Sequence, residues 1–481
     1  MTTKSTLHDQ RTGWPVHHAL SNALLIGLLT FGMALLGIIT RPMGLLAAFW
    51  PANAVLLGVF VRHPRTARWP SWLGALAGFV AADLLTGSTW TKSLLLTAGN
   101  FAFVLVGLLI YQTQREEIRL LRRPESIVYL VLIIVAGALA EGAVGSVINP
   151  VLFHGSAEAG FSYWFSAELA NALAIVPVIL ALPTWRASSP GRARLIRWPT
   201  MAKWMPAAVF VASVMIAIRL NDSGSIAYPI PALLWCAISY SLFTTSLLTS
   251  MYGIAMMLSI STGQMSLGAA TSDLHTLLAL RIAIALIALA PLMVASVMGA
   301  RNALLKQLQH LASHDPLTDA LNRGGLMERA DMLMRQLHDA RQPVSVLMLD
   351  IDHFKSVNDQ HGHATGDRVL REFARIVHGM LRDTDVFGRI GGEEFVVVLP
   401  NCGQDNAWQI AERIRAQFGQ HALSSEAAVP LRATVSIGIA SAGIAMPSLS
   451  TLLPDADHAL YRAKHAGRNC VAAAGTTKNP G

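Results

Sequence analysis

Charge is what this chain of 481 residues has least of: Asp, Glu, Lys and Arg make up 14% of it, against 53% hydrophobic residues. Soluble domains carry about 25% charged residues, so a protein that is soluble along its whole length is excluded. Cysteine is nearly absent as well. Cys236, Cys402 and Cys470 are isolated and have neither metal-ligand nor disulfide spacing. A disulfide framework therefore falls away, and a reduced cytoplasmic compartment suits the C-terminal part. The net charge of +8 resides largely in short loops between apolar runs, where anionic lipid is the natural partner. No nucleic-acid partner is read from it.

The apolar excess lies before Arg301, and an ordinary soluble α/β pattern follows. Runs of roughly 20 apolar residues, enough to cross a bilayer, recur at 19–39, 43–61, 70–87, 92–112, 126–148, 162–183 and 203–219. A longer stretch covers 229–260, and a last run covers 276–299. Arg62, Arg65 and Arg68 follow the second run; Arg115, Arg119, Arg122 and Arg123 the fourth; Arg186, Arg192, Arg194, Arg197 and Lys203 the sixth. The positive-inside rule places these loops, the N-terminal tail 1–18 and the segment from Arg301 in the cytoplasm. That parity holds only if 229–260 is a hairpin of two helices turning near 240–245, giving about ten spans. Arg11 ahead of the first run resembles a signal-peptide start, but the run is long and more follow, so an uncleaved anchor is expected.

Asn53, Asp83, Glu141, Glu168, Asn171 and Arg281 interrupt the apolar runs. Ionisable groups inside a membrane are costly and face a cavity or a partner. Two readings stay open: a ligand pocket or polar relay, and mutual pairing that only holds the bundle together. With Trp50-Pro51-Ala52-Asn53-Ala54, Ala81-Ala82-Asp83 and the segment 235–240, residues 20–299 resemble the multi-span membrane sensor domains of the MASE type. The family usually has glycine where Asn53 stands. The resemblance implies an all-α polytopic sensor bundle over 19–299.

Leu304, Leu308 and Leu311 form a helical seam in the linker 300–313, suited either to pairing with a second copy or to lying on its own domain. His314-Asp315-Pro316-Leu317-Thr318-Asp319 then breaks the helix. Beyond it the pattern predicts a strand over 344–349 ending at Asp350, a helix near 366–382 and a strand–turn–strand through Gly391-Gly392-Glu393-Glu394-Phe395. A helix at 405–418, a strand at 431–440 and a helix at 455–466 complete an α+β sandwich with helices on a mixed sheet.

The paired glycines imply a tight turn, by positive φ or by letting a second molecule approach closely. The adjacent carboxylates that follow are easiest to explain beside a cation. Asp350-Ile351-Asp352 at a strand end offers further oxygen donors for a hard cation such as Mg²⁺. Lys355, and Lys464 with Arg468 at i and i+4 on one helical face, add positive charge suited to a nucleoside triphosphate. Asn358 and Asp367 can read a base edge, although each alone is better explained as a helix cap.

Taken together, Asp315-Pro316-Leu317-Thr318-Asp319 with Asn322-Arg323, Asp350-Ile351-Asp352-His353-Phe354-Lys355 with Asn358-Asp359, Gly366-Asp367, the 391–395 signature, Ser436-Ile437-Gly438 and the run 461–469 resemble a GGDEF-family diguanylate cyclase domain over 314–472. The resemblance implies a palm-like sheet related to nucleotidyl cyclases, and condensation of two GTP into cyclic di-GMP with loss of pyrophosphate. It implies that Asp350, Glu393 and the carbonyl of Ile351 hold Mg²⁺, with Mn²⁺ as the alternative ion. Asn358 and Asp367 would read guanine; Lys464, Arg468, Lys355 and the backbone near Phe354 would hold phosphates; Glu394 would assist at the reacting centre. Each domain would carry one GTP, so a homodimer is required. Arg382 and Asp385, with five residues before Gly391, match the family's inhibitory product site, to which Arg413 contributes; the alternative is an i,i+3 surface ion pair. The whole implies a bacterial inner-membrane enzyme with its catalytic domain in the cytoplasm and a tail at 473–481. A catalytically silent receptor that binds GTP or cyclic di-GMP and acts through partners is the competing class.

Overall fold

The computed structural model describes residues 16–40, 49–183, 201–220, 224–261, 274–340, 342–422, 431–443 and 448–475. Arg11 and most of the N-terminal tail, the start of the second apolar run, Arg186, Arg192, Arg194 and Arg197, and the end of the C-terminal tail lie outside the described residues. The chain divides into two compact units, Met1–Ala303 and Leu304–Gly481.

Every regular element among the described residues of the first unit is helical. Among the described residues seven helices, with Leu278–Ser313 taken as one, are long and apolar enough to cross a membrane, among them Trp90–Gln112, Ser126–Phe153 and Ala157–Leu180; Ala52–Arg62, Trp69–Leu85 and Ser225–Ser239 are shorter apolar segments. The exposed residues include Leu20, Leu24, Leu28, Leu105, Leu109, Leu132 and Val147. Such outward leucines at helical spacing suit lipid contact rather than water. Helices Val16–Ile39 and Trp69–Leu85 pack closely through glycines. A Cβ on Gly74 would lie 2.1 Å from the Ala23 carbonyl oxygen, and one on Gly78 would lie 2.4 Å from that of Gly27. Small residues four apart allow this backbone approach where no hydrophobic effect drives association. Arg62, at the C-terminus of its helix, bonds the carbonyl oxygens of Ile179, Leu180 and Leu182 at 3.3, 3.0 and 2.6 Å. The guanidinium thereby caps the end of a second helix, where the macrodipole is negative.

Two expected boundaries shift, and the expected break within 229–260 is present. The run 43–61 is not one continuous helix: residues 49–51 lie outside any regular element and regular helix begins at Ala52. Pro51 has no N–H to continue a ladder, so the helix starts after it. The stretch 229–260 is two helices, Ile230–Ser239 and Leu242–Ser261, parted at Tyr240, whose hydroxyl donates to the Lys203 carbonyl oxygen at 2.7 Å. The last run divides into Leu274–Ile287 and Leu289–Ser313. Pro291 cannot donate to the preceding turn, which accounts for the interruption at Ala288.

The second unit is built on a five-stranded sheet of order β2-β3-β1-β4-β5, with β1 Val344–Ile351, β2 Val386–Gly391, β3 Glu394–Pro400, β4 Val435–Ala442 and β5 Val471–Ala473. β1 is antiparallel to both β3 and β4, and only β5 runs parallel to its neighbour. Every residue of β1 is buried, because side chains of alternating parity fill two different cores. Leu347, Leu349, Phe395, Val397, Val435 and Ile437 join Phe373 and Phe418 of helices His363–Met380 and Gln404–Gln420. Val346, Met348, Val396 and Val398 face Leu326 and Leu460 of helices Arg323–Ala340 and Leu449–His465. This is the expected α+β sandwich with a mixed sheet. Strand β4 begins later than predicted and the final helix starts earlier.

Candidate active site

Strand register brings the first two acids together. Asp350, near the end of β1, pairs with Glu394 on β3 and with Ser436 on β4. Gly391 pairs with Glu394 across the β2–β3 hairpin, leaving Gly392 and Glu393 as its two-residue loop. The Glu393 carbonyl oxygen accepts from the Ile351 N–H at 3.3 Å. The glycines work differently from one of the two expectations. Neither has positive φ; a Cβ on Gly391 would sit 3.0 Å from Glu394 Oε2, while nothing lies within 4 Å of one on Gly392. Gly391 thus makes room for a neighbouring carboxylate, and Gly392 leaves a face open.

Arg389 holds this turn. Its Nε and Nη2 donate to the Gly392 carbonyl oxygen at 2.9 and 2.6 Å, and Nη1 donates to Asp315 Oδ1 at 3.0 Å. Asp315 Oδ1 also accepts from the Thr318 N–H and hydroxyl at 2.9 and 2.7 Å. Burial alone would push the Asp315 carboxyl up, but bonds from Thr318 and from the Arg389 guanidinium leave it below the usual carboxylate range. Sequence pattern alone gives Arg389 no role, although it stands two residues before the glycines.

Asp350 is 6% exposed, and its Oδ2 lies 2.7 Å from Lys464 Nζ. Burial raises its pKa; the lysine opposes this, and the charges of Glu393 and Glu394 add to it, with a net shift upward. Three carboxylates with one ammonium leave excess negative charge, which a divalent cation would relieve. The donors are all oxygen, the kind a hard ion takes, although among the described residues no three acids stand close enough together to hold an ion as they are.

Asp352 has a different task. It accepts from Thr434 Oγ1 at 2.7 Å, Ser436 Oγ at 2.6 Å and the Asn469 N–H at 3.0 Å. It therefore ties β1 to β4 and to the turn after the last helix. That turn corrects one expectation: helix Leu449–His465 ends before Arg468, so Lys464 and Arg468 do not share a helical face. Gly467, Arg468 and Asn469 all have positive φ, at 109, 64 and 46°, which turns the chain out of the helix.

His353, at φ 56°, starts helix Phe354–His361. Phe354 is buried, Lys355 is exposed, and Asn358 and Asp367 are half-buried. Neither Asn358 nor Asp367 is an N-cap, since Asn358 lies within its helix and Gly362 precedes the next. Asn358 instead covers Gly366, where a Cβ would lie 2.0 Å from its Oδ1. Elsewhere, Asp385 Oδ2 accepts from the Arg382 backbone N–H at 2.8 Å and Arg413 Nη2 donates to the Met380 carbonyl oxygen at 3.3 Å. The Arg382 side chain is exposed and forms no ion pair with Asp385 among the described residues.

The family described as "Diguanylate cyclase, GGDEF domain" matches residues 312–470. A probable diguanylate cyclase, DgcF, of Escherichia coli O157:H7 is 31% identical over 468 residues, 94% of each chain. Its namesake in Escherichia coli strain K12 is 34% identical over 313 residues, 64% of this chain and 95% of that one. A solved GGDEF domain of DgcB from Caulobacter crescentus, in complex with c-di-GMP, is 32% identical and covers 34% of this chain and 94% of that one, with a TM-score of 0.33.

Proposed function

The chain belongs to the GGDEF diguanylate cyclase family, and from that membership we propose a membrane-bound enzyme that condenses two GTP into cyclic di-GMP and two pyrophosphate. Residues 19–299 form its sensor, 300–313 its linker and 314–472 its catalytic domain, which faces the cytoplasm of a bacterial inner membrane. The observation that carries the reading is the convergence of Asp350, Glu393, Glu394 and Lys464 where β1 meets the glycine turn.

Enzymes of this family use divalent metal ions. Asp350, Glu393 and the Ile351 carbonyl would hold Mg²⁺, which would supply Lewis acidity toward phosphate oxygens. Asn358 and Asp367 orient guanine. Lys355, Lys464, Arg468 and the backbone at Phe354 bind the triphosphate. A ribose 3′-hydroxyl oxygen forms a bond to the α-phosphorus of the facing GTP, the bond to the pyrophosphate oxygen breaks, and Glu394 receives the hydroxyl proton. Two such steps close the ring, so two domains must face each other. Arg382, Asp385 and Arg413 bind the product and slow turnover; the reading is supported by the outward Arg382 side chain, whose partner Asp385 is taken by backbone.

Full-length protein in liposomes with GTP and Mg²⁺ tests both parts. Formation of cyclic di-GMP is expected, with loss of at least about 100-fold in Glu393→Ala. A folded dimer without product, or undiminished turnover in that variant, would sink the reading. Added cyclic di-GMP should inhibit the wild type and leave Arg382→Ala largely uninhibited; equal inhibition would make the arginine structural.

A further inference from the structure

We infer that the membrane unit contains a binding site for a small cation, formed by the side-chain oxygens of Asn100, Glu141 and Glu168 around the Asn53 amide. Four helices contribute one residue each. Asn100, Glu141 and Glu168 stand near the middle of Trp90–Gln112, Ser126–Phe153 and Ala157–Leu180, and Asn53 lies in the first turn of Ala52–Arg62. Their exposures are 7, 7, 2 and 0% respectively. The Asn53 amide nitrogen is the hub, at 3.1 Å from Asn100 Oδ1, 3.3 Å from Glu141 Oε1 and 3.0 Å from Glu168 Oε2.

An amide nitrogen has two hydrogens, so one donor group is shared among three acceptor side chains. The shortage is wider than this. Asn53 Oδ1 and Glu168 Oε1 are buried and bond to nothing among the described residues. Arg281, a buried base of the same unit, does not supply the missing charge. Its Nη2 bonds Tyr163 Oη at 3.0 Å and its guanidinium lies 4.3 Å from that ring's centroid. The two carboxyl groups also lie within hydrogen-bond reach of each other, so an apolar bundle that buries both calls for a bound proton or another cation beside them. A ligand set made of oxygen alone favours a proton or a hard metal ion over zinc or copper. The N-terminus of Ala52–Arg62 at the cluster tempers the carboxylates in the meantime. Besides the two glutamates, Asp83 and Arg281 are buried charged groups on other helices of this unit.

The inference gives the proposed sensor a ligand class, yet its test needs no turnover. Full-length protein in phosphatidylcholine nanodiscs is titrated with Na⁺ and with Ca²⁺ at fixed pH, and separately with acid in the absence of added metal, following tryptophan fluorescence and melting temperature. A saturable response is expected in one arm. Saturation by a metal at fixed pH identifies a metal ion, and a response to pH alone identifies a proton. Glu168→Gln should move the midpoint at least about tenfold in cation concentration, or about one unit in pH. Glu168→Asp should retain a response, which covers the case in which the glutamine variant fails to insert. No response in any arm, or wild-type midpoints in both variants, would overturn the inference and leave a polar knot that only holds helices together. Loss of cyclase activity alone would not move these readouts, so the two readings fail separately.

Discussion

Gly366 shows how one missing methyl group shapes the proposed base site. A Cβ there would lie 2.0 Å from Asn358 Oδ1 and 3.2 Å from the tip of the Phe354 ring. Phe354 is packed in the core, so the asparagine is the group that must move. Gly366→Ala should therefore displace the assigned guanine reader while leaving Asp350 and the glycine turn in place. Overpacking of this kind costs about 1–3 kcal/mol, and losing one good hydrogen bond to a base corresponds to about tenfold in affinity. The expected outcome is a KM for GTP raised on the order of tenfold with kcat little changed. Steady-state kinetics decide it: equal loss in kcat and kcat/KM would mean that Asn358 acts at the reacting centre instead.

At the scale of elements, the segment after helix Leu289–Ser313 is fastened to the signature turn through Asp315 and Arg389. The guanidinium reaches the Gly392 carbonyl oxygen on one side and Asp315 on the other, both within 3.0 Å. Both side chains are mostly buried, at 15 and 19% exposure, so breaking the pair leaves an unpaired charge worth about 1–3 kcal/mol. Arg389→Ala should lower the melting temperature and reduce kcat about tenfold or more, since the loop carrying Glu393 loses its brace. Arg389→Lys should recover little, because an ammonium cannot fork to two acceptors in the same plane. The sign of the pH effect follows from the depressed Asp315 pKa. Its contribution is fully present above the ordinary carboxylate range and is lost as pH falls through the lower folded value. A melting curve of Asp315→Asn that shows the same acid limb as the wild type would disprove the clamp.

Much of this element was legible in sequence and some was not. Residues spaced in pairs along β1 and β3 announce strands with two buried faces, and Asp350 at the strand end announces a site. Arg389 carries no such signal, because its partners lie on a backbone carbonyl and on a segment 74 residues earlier. The shared face of Lys464 and Arg468 fails for a related reason. The i, i+4 spacing assumes an unbroken helix, whereas Gly467 ends it and the next two residues turn left-handed. The membrane runs were visible as hydropathy, but the helix starts at Ala52 and Leu289 depend on prolines whose effect a composition window averages away.

For the molecule as a whole, the proposed chemistry makes each catalytic unit half of a site. Leu304, Leu308 and Leu311 are exposed at 56, 53 and 60% along helix Leu289–Ser313. An apolar seam of this length is too short for a stable coiled coil alone, but membrane confinement raises the effective concentration of a second copy. Dimerisation is therefore expected to depend on surface density. In liposomes of increasing protein-to-lipid ratio, specific activity should rise about linearly at low density and then level off. Replacing Leu304 and Leu308 together by Ser should move that plateau to densities higher by about tenfold, with the plateau rate itself retained. The seam is polar in that variant while Asp350, Glu393 and Lys464 are untouched, so recovery at high density separates weakened pairing from damaged chemistry. Specific activity that is constant across all densities in both proteins would show that the second copy is not recruited through this helix.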